Sequence, residues 1–242
     1  MSDLFTKVFT AWDRGEHLRE WAVLQHIHAH DPDLAPRPIS ADLDAHPPVV
    51  RMTLVPGSPL PARPTPAQAE ALVAAITRLW SIPFDGPWRD DLAFARRLTD
   101  SPRPHGLAGK AYDAALFWWD GPDPLLLRQK PAVTVLGHRD PYLENYLWDG
   151  SRVRIVDFED ACVSDPATEV AILLEHLSAR ESGLHAGLFD VDPVRLLAAR
   201  RLWAMFWLWR LLPGGPSAHR NPPGTADLQA QRLVQLLGEP AP

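Results

Sequence analysis

Between Gly137 and Asp160 the chain reads GHRDPYLENYLWDGSRVRIVDFED, and no other stretch restricts the fold as much. Two β-forming runs, YLW at 146–148 and RVRIV at 152–156, flank Asp149-Gly150. Such a pair tolerates the positive φ angles of a tight turn, so the runs are expected to fold back as a hairpin. Upstream, VTVL at 133–136 reads as a strand leading into His138-Arg139-Asp140. Asn145 follows Asp140 by five residues, and Asp157 closes the second hairpin strand. A hairpin returns the chain to its starting level, so Asp157 should come back beside Asn145, with Asp140 one loop away. Three oxygen-bearing side chains are therefore expected at one spot.

Magnesium is a hard cation that takes oxygen ligands, commonly one or two from protein, with water and substrate phosphate filling the rest. Asn145 and Asp157 suit it. Asp140, free of metal duty, is placed to accept or orient the proton of a hydroxyl nucleophile in phosphoryl transfer, where catalysis is mainly positioning and charge stabilisation. An Asp ahead of a helix is often only a cap, and His-x-Asp alone is a weak signal. The strand before it, the hairpin after it and the spacing to Asn145 and Asp157 make a fuller set. Asp165, directly before Pro166, reads as a helix cap.

HRDPYLEN fits the catalytic-loop pattern His-x-Asp-x-x-x-x-Asn, and IVDFED fits the metal-binding Asp motif, of the protein-kinase-like fold. The continuation DPATEVA at 165–171 is similar to the matching segment of the aminoglycoside phosphotransferase and choline kinase group of small-molecule kinases. The resemblance is specific over 135–175, extends to 4–57, and is weak elsewhere. It implies an α+β, protein-kinase-like two-lobed fold, with a truncated β-rich N-lobe over residues 1–57 and a mainly helical C-lobe over 58–242. It also implies Asp140 as catalytic base, Asn145 and Asp157 as magnesium ligands, His138 as a support of the loop, and ATP as phosphoryl donor. Arg139 stands where these small-molecule kinases often have Gly, and Glu159 where protein kinases have Gly; neither change removes a chemical group.

By order and element type, Lys7 and Glu20 match the strand lysine that reaches the phosphates and the helix glutamate that orients it. The alternative is a surface lysine and a solvated glutamate. VVRMTLVPG at 49–57 resembles the strand and hinge between lobes, whose backbone from Met52 to Leu54 would face the adenine. Lys7, Glu20, Met52 and Leu54 are thus the expected nucleotide-binding set. In this fold a strand, a phosphate-covering loop and a second strand precede the lysine, whereas six residues precede Lys7. The phosphate-covering hairpin is expected to be missing, and ATP binding to be weak.

The rest of the chain divides by pattern. LFTKVF at 4–9 reads as a strand, and 14–29 as a helix with Leu18, Trp21, Ala22 and Ile27 on one stripe. Pro-rich 56–66 reads as a linker ending in a capping box, Thr65 to Gln68, with Pro66 at the first helical position. Helices are expected over 66–80, 90–98, 108–119, 166–180, 193–212 and 226–237. His26, His28 and His30 lack a nearby acid and read as solvent-facing rather than as a metal site.

Composition excludes several classes. A net charge of -6 without any basic run argues against a nucleic-acid polymer as partner. LWAMFWLWRLL at 202–212 is interrupted by Arg210 and falls short of the ~20 residues that cross a bilayer, so no membrane association is expected. The single cysteine, Cys162, forms no internal disulfide, and MSDLFTKVFT lacks a signal-peptide pattern, which points to the cytoplasm. The acidic balance, with Glu159, Asp160, Glu169 and Glu175 near the expected cleft, suits a cationic small-molecule acceptor, aminoglycoside-like or an amino alcohol. Two rivals stay open: a catalytically weak or inactive kinase-fold binding protein, and a metal-dependent hydrolase built on His138, Asp140 and Asp157.

Overall fold

β-branched and aromatic residues cluster in the early strand-like runs, and such residues pack well on a pleated surface. In the computed structural model, which describes residues 3–86 and 88–240, β1 (Leu4–Val8), β2 (Pro38–Asp42) and β3 (Val49–Thr53) form an antiparallel sheet in the order β1-β3-β2. Alternation is clearest in β3, where Val50 and Met52 are buried and Arg51 is exposed. β1 lies at the sheet's edge, and its Leu4, Phe5 and Val8 are all about half exposed.

The helix α1 (Glu16–His30) joins β1 to β2, and its buried face differs from the expected stripe. Glu16, His17, Glu20, Val23, Leu24 and Ile27 point inward, while Leu18 and Ala22 are exposed and Trp21 is half-buried. Positions 16, 20, 23, 24 and 27 recur at three- and four-residue steps, the spacing of a single helical face. Its polar members had disguised that face.

The stretch 56–66 proves more than a linker. Within it β4 (Ser58–Pro59) pairs with β6 (Tyr146–Trp148), and β6 pairs in turn with β7 (Val153–Ile155) across the Asp149-Gly150 turn. A separate two-stranded ladder joins β5 (Val135–Gly137) to β8 (Cys162–Ser164). Neither β4 nor β8 is long enough to carry a period of two.

The helices α2 (Pro66–Ser81), α3 (Leu92–Thr99), α4 (Gly106–Trp118), α6 (Pro166–Glu175), α7 (Pro193–Leu211) and α8 (Thr225–Gly238) fall where the sequence places them, though α6 stops at Glu175 and a 3-10 turn follows. An additional helix, α5 (Pro122–Arg128), starts with two prolines in its first turn, where missing N–H groups cost nothing. The capping box at α2 is formed in both directions between Thr65 and Gln68.

Two apolar cores result. One is helical and packs Leu98, Trp118, Val170, Leu202, Met205 and Leu233 together. The apolar α7 is thus a buried helix, and among the described residues no helix is long and apolar enough to cross a membrane. The second core joins Val23 and Ile27 of α1 and Val50 and Met52 of β3 to Leu72 of α2 and to Leu136, Ile155 and Phe158 around the hairpin. Full burial of each such side chain contributes about 1.5–3 kcal/mol. That shared core fixes the sheet that carries Lys7 against the hairpin that carries Asp157.

Candidate active site

β5 delivers the chain to Gly137 and His138. A Cβ on Gly137 would overlap the carboxylate of Glu169, so only glycine leaves room for that acid. Glu169, in the first turn of α6, accepts from the His138 N–H at 3.0 Å and the Arg139 N–H at 3.3 Å. Arg139 takes a left-handed φ of 70°, which a residue with a Cβ adopts rarely. Its buried guanidinium pairs with Asp91 and with Glu169 (3.6 Å), donates to Ser164 Oγ (3.1 Å), and lies over the Trp203 ring at 5.3 Å. A charge so deep in the protein persists only when paired, and the set offsets the backbone strain as well. The outcome is a fixed starting point for Asp140.

The hairpin supplies the other side. The Val156 N–H donates to the Asn145 carbonyl at 2.9 Å, and His138 Nε2–H donates to the Val156 carbonyl at 2.9 Å. The His138 ring meets Phe158 edge-on at 5.0 Å, so the histidine clamps the loop to the strand that ends at Asp157. Asp157 itself has φ 69°, the second left-handed non-glycine residue of the described chain. Such outliers gather at functional sites. Asn145 Nδ2 donates to the Asp140 carbonyl at 2.9 Å and to Asp140 Oδ2 at 3.4 Å, which leaves the Asn145 side-chain oxygen for the cleft. Burial, with Asp157 and Asp160 adding repulsion, raises the Asp140 pKa above its ordinary value, against the pull of His138 and Asn145. Asp140, Asn145 and Asp157 thus meet.

Lys7 projects from β1 toward the same place. Its Nζ pairs with Glu20 at 3.2 Å, with Glu159 at 2.9 Å and with Asp157. A cleft of about 280 Å³ is lined by Phe5, Lys7, Glu20, Met52, Leu54, Asn145 and Asp157 among others, so all four residues expected for a nucleotide border it. The backbone there is partly engaged: the Thr53 N–H donates to the Arg37 carbonyl at 2.9 Å and the Leu54 N–H to the Asp3 carbonyl at 2.7 Å. What this strand offers the cleft is chiefly apolar side chain.

The charges around Lys7 do not balance. Although burial works against it, Lys7 is held firmly protonated by Glu20 and Asp157. Burial pushes Glu20 up to about 7; Lys7 opposes this, while Asp157 and Glu159 reinforce it. One cation faces three carboxylates. The surplus negative charge, the Asp157 carboxylate and the free Asn145 oxygen together fit a hard divalent cation.

The family model described as the phosphotransferase enzyme family matches residues 4–203. The chain belongs to this family. Among solved structures, a choline/ethanolamine kinase family protein from Mesorhizobium loti superposes with a TM-score of 0.72 at 19% identity, covering 98% of this chain and 83% of that one. The choline kinase LicA from Streptococcus pneumoniae gives 0.64 at 13% identity, with 97% and 85% covered. The aminoglycoside phosphotransferase APH(4)-Ia gives 0.67 at 17% identity, with 98% and 87% covered. At these identities the likeness is one of fold, and it makes this phosphotransferase family member a two-lobed, kinase-like α+β protein. The comparison with curated proteins gave no match.

Within this family fold, sequence reasoning missed the group that anchors the catalytic loop, namely Asp91, Arg139, Ser164 and Glu169. A signal was present: an acid in the first turn of an otherwise apolar helix, four residues after the Asp165 cap. The four acids expected to attract a cationic acceptor need correcting. Glu159 pairs with Lys7, Asp160 with Arg14 and Arg89 (3.5 Å each), and Glu169 holds the His138 and Arg139 amides. Glu175 is fully buried between Arg200 at 2.8 Å and Arg232 at 2.9 Å. Asp165 caps α6 through the Thr168 N–H at 2.9 Å, as expected.

Proposed function

We propose that this protein transfers the γ-phosphoryl group of ATP to a hydroxyl of a small molecule, with magnesium. The observation that carries the reading is that Asn145, which donates to Asp140, lines one cleft together with Asp157 and with Lys7, the ion-pair partner of Asp157. Asp157 and the Asn145 oxygen would hold the metal, which when bound supplies positive charge to the donor phosphates. Phe5, Met52 and Leu54 offer an apolar surface to a flat base, and Lys7, oriented by Glu20, faces the phosphates. Asp140, whose raised pKa suits proton acceptance, takes the hydroxyl proton on a carboxylate oxygen as the acceptor oxygen bonds to phosphorus and the bond from phosphorus to the departing ADP oxygen breaks. The fold relatives LicA, solved with AMP, and APH(4)-Ia, solved as a mutant with AMP-PNP and hygromycin B, support a nucleotide and a small acceptor here. The two lobes are proposed to divide at the Pro56-Gly57 turn, just before β4.

His138 argues against the hydrolase reading, since its ring is buried and its Nε2 is engaged by Val156. The binding-protein reading draws on the edge position of β1, whose apolar side chains stand exposed beside Lys7. Measuring ADP formation with and without a hydroxyl acceptor separates the three. The transferase makes ADP that depends on the acceptor, a hydrolase releases phosphate without one, and a binding protein retains ATP unchanged.

A further inference from the structure

With Glu159, Asp160, Glu169 and Glu175 engaged inside the protein, and Glu144 accepting from the Tyr142 hydroxyl at 3.0 Å, the charged groups beyond Tyr142 that lack a carboxylate partner are arginines. Tyr142, two residues after Asp140 and partly exposed, packs on His176 at 5.5 Å, and His176 packs on Trp207 at 4.9 Å. Arg210, in the last turn of α7, holds its guanidinium 5.4 Å from the rings of both Phe206 and Trp207 and donates from Nε to Ser217 Oγ at 2.9 Å. Arg97 lies over Trp209 at 4.9 Å and over Phe94 at 5.2 Å.

Phe206, under Arg210, meets Trp209, under Arg97, at 6.0 Å, and the Arg220 N–H donates at 3.2 Å to the carbonyl of Ser217, whose hydroxyl Arg210 reaches, so the aromatic path from the catalytic loop ends in a group of arginines. None of the three has a carboxylate at ion-pair distance among the described residues. His176 does not add to their charge at neutral pH, because burial, Arg180 and Arg210 hold its pKa down at about 4. Arg180 has buried Nε and Nη2 atoms with no hydrogen-bond partner among the described residues. An arginine keeps its charge and presents a planar fork that matches carboxylate and phosphate.

We infer that the acceptor is an anion: a small hydroxyl compound bearing a carboxylate or phosphate, recognised by Arg210 with Arg97 and Arg220 and flanked by Tyr142 and Trp207. The inference rests on the phosphotransferase reading, and replaces the cationic acceptor suggested by composition with one that the paired acids would not attract. Arg210 acts here as a specificity residue; the transfer step is the one already described.

The test is binding, which needs no turnover. Wild type, with AMP-PNP and magnesium filling the nucleotide cleft, is titrated with glycerate, glycerol 3-phosphate, glycerol and choline, read by tryptophan fluorescence. At least one anion should bind more tightly than glycerol and choline, and the stronger anion tells carboxylate from phosphate. Arg210→Gln should weaken that anion by about 10-fold or more, the loss expected for a hydrogen bond to a charged group, and Arg210→Lys should recover part of it. Arg97→Gln, at an exposed position, should weaken it less and covers the case of a misfolded Arg210 variant. Choline or glycerol binding as tightly as both anions, neither anion binding, or an anion affinity unchanged by Arg210→Gln and Arg97→Gln would overturn the inference. A failure of the transferase reading shows elsewhere, as no acceptor-dependent ADP with any compound.

Discussion

Asp140 and Lys7 approach Asn145 and Asp157 from two regions that are held in contrasting ways. The loop of Asp140 is tied at the His138 and Arg139 amides, at the His138 ring and through Asn145, and its left-handed Arg139 is locked by buried partners. Lys7 stands on an edge strand with half-exposed apolar side chains, and is positioned by charge alone, among three carboxylates. The contrast teaches that one wall is built for geometry and the other for charge balance. A positioned group loses its effect when its atom changes; a charge-balanced one changes gradually, and with pH.

The largest expected effect is therefore on the geometric side. Asp140→Asn keeps the loop's hydrogen bonds and should lower acceptor-dependent ADP formation by about 100- to 10,000-fold, the usual worth of a positioned base, with its thermal unfolding unchanged. An activity close to wild type would show that the tied loop serves structure only. Next, Asp157→Ala removes the carboxylate shared by Lys7 and the metal. Calorimetry with and without magnesium should show the metal's benefit to nucleotide binding reduced by more than the roughly 10- to 100-fold that loss of an outer partner costs at metal sites.

Lys7→Met should act less, weakening ATP by roughly 5-fold, in line with a partly screened ion pair. A loss as large as that from Asp157→Ala would mean that Lys7 is positioned as rigidly as Asp140, and the contrast would fail. The effect of pH falls on stability and builds up gradually. Folded Glu20 sits at about 7 against an ordinary 4.5, so between those values the folded chain keeps a proton that the unfolded chain has lost. Stability contributed by this group therefore falls as pH rises through that window. In urea melts across it, Glu20→Gln should gain on wild type by on the order of 1 kcal/mol per pH unit; parallel pH profiles would remove Glu20 from the charge account.

The sequence showed the geometric side better than the charged one. Asp140, Asn145 and Asp157 lie on one hairpin and the loop that leads into it, so spacing alone brings them together. The partners that lock Arg139 come from 25 to 48 residues away, on α6, β8 and the segment before α3, and no local pattern connects them. β4 and β8 were invisible because, unlike the similarly short β6 and β7, they are not joined to their partners by a turn and pair with strands far along the chain. On α1 the inward face includes His17 and Glu20, and burying a glutamate is sensible only once Lys7 is known to meet it. The acids near the cleft illustrate the same limit: their count was legible, but whether each already had an arginine, a lysine or an amide beside it was not.

The central claim, that Asp140 serves phosphoryl transfer to an organic hydroxyl, is tested most directly by phosphorus NMR of ATP and magnesium incubated with the protein and hydroxyl acceptors of anionic, neutral and cationic kinds. The account predicts a new phosphate-ester signal growing with ADP, given by the anionic acceptors and absent with Asp140→Asn. Growth of inorganic phosphate alone, or an ester signal equally strong in the Asp140→Asn variant, would contradict it.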